Sequence, residues 1–404
     1  MKSFRDFTLL ETLFETLAEK NLATPTEIQA KTIPLLLKGR SVVGVAETGS
    51  GKTLSYALPI LHMLKTLENE GQAISVAAQP RACVVVPTRE LGEQILKVFK
   101  PFTHTTRLRV RMVMGGTGLD VAKKNIQGAF EVLVATPGRL VKLLQMKQLD
   151  LSDVRIFVLD EADQLLDQGF LPDIGKIVQA CPYKCQRALF SATVSPKVEQ
   201  LITSYFSDAE VIRSLGSHRV VSSLQTINKA VIDGKRFPLL ETLLQTSVEG
   251  GTILFTNTRA QCDKLAAEIE ASGRSCVIYR GEMDKTERRR NLKAFREGKI
   301  ELLISTDLAS RGLDIDHVGR VINYHLPQQM ENYIHRVGRT ARAGRSGVVI
   351  NFVTERDAAI VSKLDVVRAA PKGARAERAS GESWPDAPAY KKTPKVKPLA
   401  TPKK

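Results

Sequence analysis

Ser41–Thr53 reads SVVGVAETGSGKT. The first part, Ser41–Ala46, is a short apolar run; the second is a loop of small residues, and a helical pattern follows it. A run that opens through Gly49, Ser50 and Gly51 into a helix has the form of a phosphate-binding turn. Residues without bulky side chains let the backbone curl so that successive N–H groups face phosphate oxygens. The helix behind them presents its positive N-terminal end to the same anion. In that frame Thr48, Gly49, Ser50 and Gly51 make the cradle, Lys52 reaches the β- and γ-phosphates, and Thr53 offers a hydroxyl to Mg²⁺. Ala46 departs mildly from the glycine usual at the first position of such loops.

Further along, Val158–Asp163 reads VLDEAD. Asp160 follows the apolar run Ile156–Leu159 and is placed to hold Mg²⁺, partly through water. Glu161 is placed to orient and deprotonate an attacking water. Two solvated acids opening a helix would also satisfy the helix dipole; the phosphate loop upstream favours the catalytic reading.

Outward from these strings the pattern repeats. Apolar runs at Ala82–Pro87, Glu131–Ala135, Ala188–Ser191, Thr252–Phe255, Cys276–Tyr279, Leu302–Ser305, Arg320–Tyr324 and Val348–Val353 each precede a helical pattern. They are continuous Val/Ile/Leu runs rather than alternations, as parallel strands buried on both faces are. The expected fold is α/β, two tandem domains with mostly parallel sheets. The first spans 1–214, a linker 215–226, the second 227–364, and a disordered basic tail 365–404. Ligands of such sheets bind beyond the carboxyl ends of the strands, where AETGSGKT, PTREL, TPGR, DEAD, SAT, NTR and TDLASRGLD all fall.

The net charge of +16 over 404 residues suits a polyanionic partner, nucleic acid first. From Arg368 to Lys404 there are 10 Lys/Arg against 3 Asp/Glu, so the tail supplies about +7 of it. No apolar run approaches the roughly 20 residues of a membrane helix, and the N-terminus does not read as a signal peptide. Five scattered cysteines suit free thiols in a reducing cytosol, so the expected location is cytoplasmic. Cys181 and Cys185 are close in sequence, but no second pair or nearby His completes a zinc site. Arg339 and Arg342, in HRVGRTAR, stand at i and i+3 and would face one way on a helix. Aimed at a γ-phosphate they would stabilise transferring charge; a basic surface helix has the same spacing.

Together these residues resemble the DEAD-box ATP-dependent RNA helicases of helicase superfamily 2. The resemblance runs from about Phe4 to Val353, with the family's motifs in the family's order, and implies two RecA-like domains joined by a flexible linker. It implies that ATPTEIQ (Ala23–Gln29) reads adenine, with Gln29 on the base edge and Phe4 stacked on the ring, and that Asp314 binds the ribose. It makes Arg339 and Arg342 second-domain groups that finish the ATP site. It assigns Ser191, Thr193, Asp163 and His335 to a network coupling the domains. It assigns RNA contacts to Thr88, Arg89, Gly116, Thr136, Gly138 and Arg139 in the first domain, and to Arg259, Arg288 and Thr306 in the second. Such groups suit phosphate and sugar, which position a strand without reading its sequence. Asn21, Leu22, Glu27, Arg280, Lys285 and Ala341 depart from the family pattern, none at a catalytic group. The implied activity is local unwinding of short RNA duplexes, or ribonucleoprotein remodelling, by a monomer that uses ATP and Mg²⁺. An RNA clamp with slow turnover and a DNA translocase are the alternatives.

Overall fold

The computed structural model describes residues 3–47, 49–116, 118–214, 224–281, 283–307, 318–340, 347–358 and 360–362. Thr48, Asp314, Arg342, most of the expected linker and the tail from 365 onward lie outside the described residues.

The first lobe is built on seven strands: β1 (Val42–Val45), β2 (Ala82–Val85), β3 (Val110–Val113), β4 (Val132–Ala135), β5 (Ile156–Leu159), β6 (Gln186–Ser191) and β7 (Glu210–Arg213). They lie in the order β3-β4-β2-β5-β6-β1-β7, every pair parallel. Between and before them come α1 (Glu11–Glu19), α2 (Glu27–Leu37), α3 (Lys52–Asn69), α4 (Arg89–Thr106), α5 (Leu119–Asn125), α6 (Pro137–Gln145), α7 (Ala162–Asp167), α8 (Leu171–Ala180) and α9 (Pro196–Tyr205).

The period-2 geometry of a strand divides each run between two cores. On β2, Ala82 and Val84 face one cluster with Leu13 of α1, Ile33 of α2, Ile60 of α3 and Phe99 of α4. Cys83 and Val85 face the other, with Leu140 of α6, Leu165 of α7, Ile177 of α8 and Leu201 of α9. Both faces are covered, which is why the central strands are apolar throughout.

The second lobe repeats the plan. Its strands are β8 (Leu224–Ala230), β9 (Thr252–Thr256), β10 (Val277–Tyr279), β11 (Leu302–Thr306), β12 (Arg320–Asn323) and β13 (Gly347–Val353), ordered β10-β11-β9-β12-β13-β8 and again all parallel. Its helices are α10 (Arg236–Leu244), α11 (Arg259–Ala271), α12 (Lys285–Arg296) and α13 (Met330–Val337). Tyr279, Phe295 and Tyr333 fill one face of the sheet; Leu240, Leu265 and Phe352 fill the other. Among the described residues no helix is long and apolar enough to cross a membrane.

Two expectations are corrected. Strand β8 begins inside the stretch 215–226 expected as linker, because Leu224, Gln225 and Thr226 pair with Gly347, Val348 and Val349. Strands β3, β7 and β8 were not expected at all. All three are sheet edges, where one side meets solvent and polar residues replace the continuous apolar run.

Candidate active site and strand-end cleft

The phosphate loop joins β1 to α3. Gly49 and Gly51 take φ of +83° and +89°, left-handed values that glycine adopts without strain. A Cβ on Gly51 would stand 2.4 Å from Gln29 Nε2, so the loop and the start of α2 interlock. Gln29 is buried. Its Oε1 accepts from the Thr26 backbone N–H at 2.9 Å and its Nε2 donates to the Gly51 carbonyl at 3.0 Å. Thus the residue expected on adenine also ties its own helix cap to the phosphate loop. Lys52, the first residue of α3, is buried; Nζ donates to the Ala46 carbonyl at 2.9 Å and lies 3.4 Å from Glu161 Oε1.

The acids stand at the end of β5, across the sheet from that lysine. Glu161 has φ +53° and ψ +54°, left-handed without being glycine. This geometry costs on the order of 1–3 kcal/mol and is characteristic of functional sites. It turns the chain sharply from β5 into α7 and leaves the Glu161 carboxylate facing Lys52. Asp160 Oδ1 accepts from the Glu161 N–H at 2.9 Å, and Oδ2 accepts from the Tyr56 hydroxyl at 2.8 Å. Burial, with the Glu161 charge beside it, pushes the Asp160 carboxyl up to about 6; Lys52 and the Tyr56 hydrogen bond oppose that rise.

Tyr56 was not among the expected site residues. It lies one turn beyond Thr53 on α3 and is fully buried. Its hydroxyl meets both the Thr53 hydroxyl and Asp160, the two groups expected to hold Mg²⁺. The i, i+3 spacing from Thr53 was the available signal.

Hard divalent cations take oxygen donors and keep several waters. Asp160 fits this requirement: each carboxylate oxygen accepts one hydrogen bond and retains a lone pair. Glu161, Asp163 and His335 also cluster within ligand distance of one another. Asp163 Oδ2, however, already accepts from the Thr193 N–H at 3.0 Å and the Thr193 hydroxyl at 2.9 Å, and His335 Nε2 stands 3.6 Å away. That cluster is a hydrogen-bonded network rather than a cation cage.

The network spans the lobes. Ser191 Oγ donates to the Thr193 carbonyl at 2.8 Å and accepts from the Asp163 N–H at 3.3 Å. His335, on α13 of the second lobe, closes it. Burial alone would raise the Asp163 carboxyl, but hydrogen bonding and charge from His335, with Lys52 and Thr193, hold it far below the usual range.

Two positions on from α13, Arg339 is buried and lines a cavity of about 560 Å³ together with Gly49, Lys52, Thr53, Asp160 and Glu161. Its Nε donates to the His335 carbonyl at 3.2 Å. The expected helical frame for Arg339 is corrected: α13 ends at Val337 and Gly338 caps it, so Arg339 reaches the cavity from a turn. Phe4 does not line this cavity. It packs in the core of the first lobe, its ring 5.8 Å from that of Phe7 in an edge-on arrangement. Leu22 and Leu54 supply apolar wall instead.

A second cavity, about 720 Å³, runs between the lobes along the strand ends. Thr88, Arg89, Gly115, Thr136 and Arg288 line it. Thr88 Oγ1 accepts from the Leu91 N–H at 3.2 Å and so caps α4; Thr136 Oγ1 accepts from the Gly115 N–H at 2.8 Å, joining two of the expected RNA-side loops. Arg289 and Arg296 of α12 add positive charge. Arg288 stacks over the Tyr279 ring at 4.5 Å and reaches Glu90 across the lobes at 3.5 Å. Gly116, Gly138, Arg139, Arg259 and Thr306 do not line this cavity.

Arg336 was also missed. It has no solvent exposure, and its guanidinium donates to Asp307, Asn323, Asn257 and the His325 carbonyl while lying 5.1 Å from the Phe255 ring centroid. It ties α13 to the ends of β9, β11 and β12 and so holds His335 and Arg339 at the interface. In the sequence it was one arginine among several in HRVGRTAR, with nothing to mark it as buried.

Comparison with known proteins agrees with this geometry. Residues 26–201 match the DEAD/DEAH box helicase family and residues 235–344 the helicase conserved C-terminal domain. The ATP-dependent RNA helicase RhlB of Actinobacillus succinogenes is 35% identical over 362 residues, covering 87% of this chain and 85% of that protein. CshA, the DEAD-box ATP-dependent RNA helicase of Geobacillus kaustophilus, is 34% identical over 88% of this chain and 74% of its own. Among solved structures, S. cerevisiae Dbp5 bound to RNA and ADP BeF3 superposes with a TM-score of 0.80 at 30% identity, over 91% of this chain and 93% of that one. With the phosphate loop, the DEAD acids and a second-lobe arginine on one cavity wall, the chain belongs to the DEAD-box family of ATP-dependent RNA helicases.

Proposed function

We propose that this protein is an RNA-stimulated ATPase in which RNA and ATP together hold the two lobes against each other, so that short duplexes are opened locally. The observation that carries the reading is Arg339: it comes from the second lobe yet shares a cavity wall with Lys52, Asp160 and Glu161 of the first. Hydrolysis then depends on the interface, and the interface depends on what occupies the strand-end cleft.

In this reading Lys52 and the loop N–H groups bind the β- and γ-phosphates. Glu161 orients the attacking water and takes its proton. Arg339 faces the charge that develops on the transferred phosphoryl group. Asp160 and Thr53 would hold Mg²⁺, which neutralises phosphate charge when bound. Thr88, Arg89, Thr136 and Arg288 hold the sugar–phosphate backbone of one strand, without reading bases. Because the phosphate loop, the DEAD acids and Arg339 line one cavity within a single chain, the reading needs no second copy, and we take the protein to act as a monomer. All five cysteines are free thiols, which supports a cytoplasmic location. The basic tail adds nonspecific attraction to RNA or ribonucleoprotein.

Phosphate release measured with matched RNA and DNA strands tests the assignment. RNA is expected to stimulate the parent and not Glu161→Gln. Stronger stimulation by DNA would make the protein a DNA translocase, and RNA binding without stimulated turnover would make it an ATP-gated clamp.

A further inference from the structure

Strands β12, β13 and β8 each carry an asparagine, and the register lines them up: Asn323 lies opposite Asn351, and Asn351 opposite Asn228. Asn323 and Asn351 have no solvent exposure. They interrupt otherwise apolar runs on the sheet face that also buries Val321, Val349 and Tyr333. A buried amide is costly unless its donors and acceptors are paired, and here they are. Asn323 Nδ2 donates to Asn351 Oδ1 at 2.8 Å. Asn351 Nδ2 donates to Asn228 Oδ1 at 2.8 Å and to the Tyr333 hydroxyl at 3.2 Å.

The direction of this ladder is set from one end. Arg336 Nη1 donates to Asn323 Oδ1 at 3.0 Å, and a guanidinium has no acceptor. Asn323 must therefore turn its amide nitrogen toward Asn351. Asn351 answers with its oxygen, which leaves its own nitrogen for Tyr333 and Asn228. Tyr333 and Arg336 stand at i and i+3 on α13 and so share a face. The helix is thus fastened to the sheet at two points, and Asn323 and Asn351 join the two. On the same helix His335 faces Asp163, and Arg339 follows the helix end into the nucleotide cavity. Apolar contact alone is non-directional and would let α13 rotate on its sheet; directed amide bonds at two points oppose that rotation.

We infer that Asn351 is a positioning residue for hydrolysis: through Tyr333 and Asn323 it fixes how α13 sits on the sheet, and with it the placement of His335 and Arg339. The inference rests on the proposed role of Arg339 in the nucleotide cavity. The far end of the ladder is Asn228, on edge strand β8. The sequence of that strand, LQTINKA, mixes polar and apolar residues and specifies its register weakly. The Asn228–Asn351 bond pins the register, so the strand that opens the second lobe is tied to the helix that completes the ATP site.

Two variants test this in the full chain. Tyr333→Phe keeps the ring in the core and removes the hydroxyl; Asn351→Val removes the amide. Hydrogen–deuterium exchange of the nucleotide-free protein is expected to rise severalfold in peptides covering α13, with α11 of the same lobe unchanged. In RNA-stimulated phosphate release, kcat should fall on the order of fivefold to tenfold while KM for ATP stays within about twofold. The double variant should lose about as much as Asn351→Val alone, because both changes remove one shared bond. A purely structural role would loosen α11 and α13 alike, or lower the melting temperature with kcat unchanged, and either result overturns the inference. So does unchanged α13 exchange in Tyr333→Phe, which decides the matter alone if Asn351→Val does not fold. The proposed function fails separately, on a parent protein that RNA does not stimulate.

Discussion

His335 Nε2 in the second lobe stands 3.6 Å from Asp163 Oδ2 in the first, and both side chains are buried. The same Asp163 oxygen takes two hydrogen bonds from Thr193. The contact therefore links the acids of DEAD, the hydroxyls of SAT and the helix that leads to Arg339. A charged partner in such a bond contributes ~1.5–3 kcal/mol. His335→Ala is expected to weaken RNA stimulation of phosphate release by roughly tenfold to a hundredfold. Basal ATP binding, measured by fluorescent-nucleotide titration, should change little, because no His335 atom lines the nucleotide cavity.

Tyr56→Phe keeps the packing of α3 and deletes one hydrogen bond to Asp160. That bond lowers the Asp160 carboxyl, so its loss should move the acid limb of the rate–pH profile upward. A profile superimposable on the parent's would show that Tyr56 does nothing but fill space.

Asp160 and Asp163 make opposite contributions to stability. The Asp160 carboxyl sits at about 6 in the folded protein, above its ordinary value of 3.8. Its contribution is present below the unfolded value and is lost as pH rises through about 6. In the nucleotide-free protein, Asp160→Asn should therefore raise Tm at pH 8, with the gain shrinking through pH 6 and vanishing near pH 4. Asp163 is depressed, so it stabilises above its unfolded value and that stability is lost on acidification below about pH 4. Asp163→Asn should lower Tm at neutral pH. Thermal melts across pH 4–8 read both signs.

Arg336→Met removes a fully buried guanidinium and leaves Asp307, Asn257 and Asn323 without their shared donor. Breaking a buried pair from one side costs ~3–5 kcal/mol. Denaturant unfolding should show a loss of that order, and Arg336→Lys should recover little of it, since an ammonium cannot reproduce the fork.

How much of this was legible follows from where each residue sits. Central strands such as Ala82–Val85 are buried on both faces, and their runs announced them. Edge strands such as Val110–Val113 and Glu210–Arg213 have half-exposed patterns that look like loop. The phosphate loop and the acids were readable because their chemistry fixes both residue type and spacing. Tyr56 and Arg336 were not, because their roles arise from contacts with residues distant in sequence: Tyr56 meets Asp160, and Arg336 meets Asn257. Arg339, a candidate in the sequence, lines the cavity from a different local frame than its spacing suggested, since Gly338 ends the helix before it.

The claim that an arginine of one lobe finishes the site of the other is tested most directly by phosphate release from Arg339→Ala, with and without single-stranded RNA, beside its affinity for ATP. The geometry predicts ATP binding within a few-fold of the parent and loss of RNA-stimulated hydrolysis by ~10²–10³-fold, the scale for removing one donor from a developing charge. RNA stimulation retained in Arg339→Ala would contradict it.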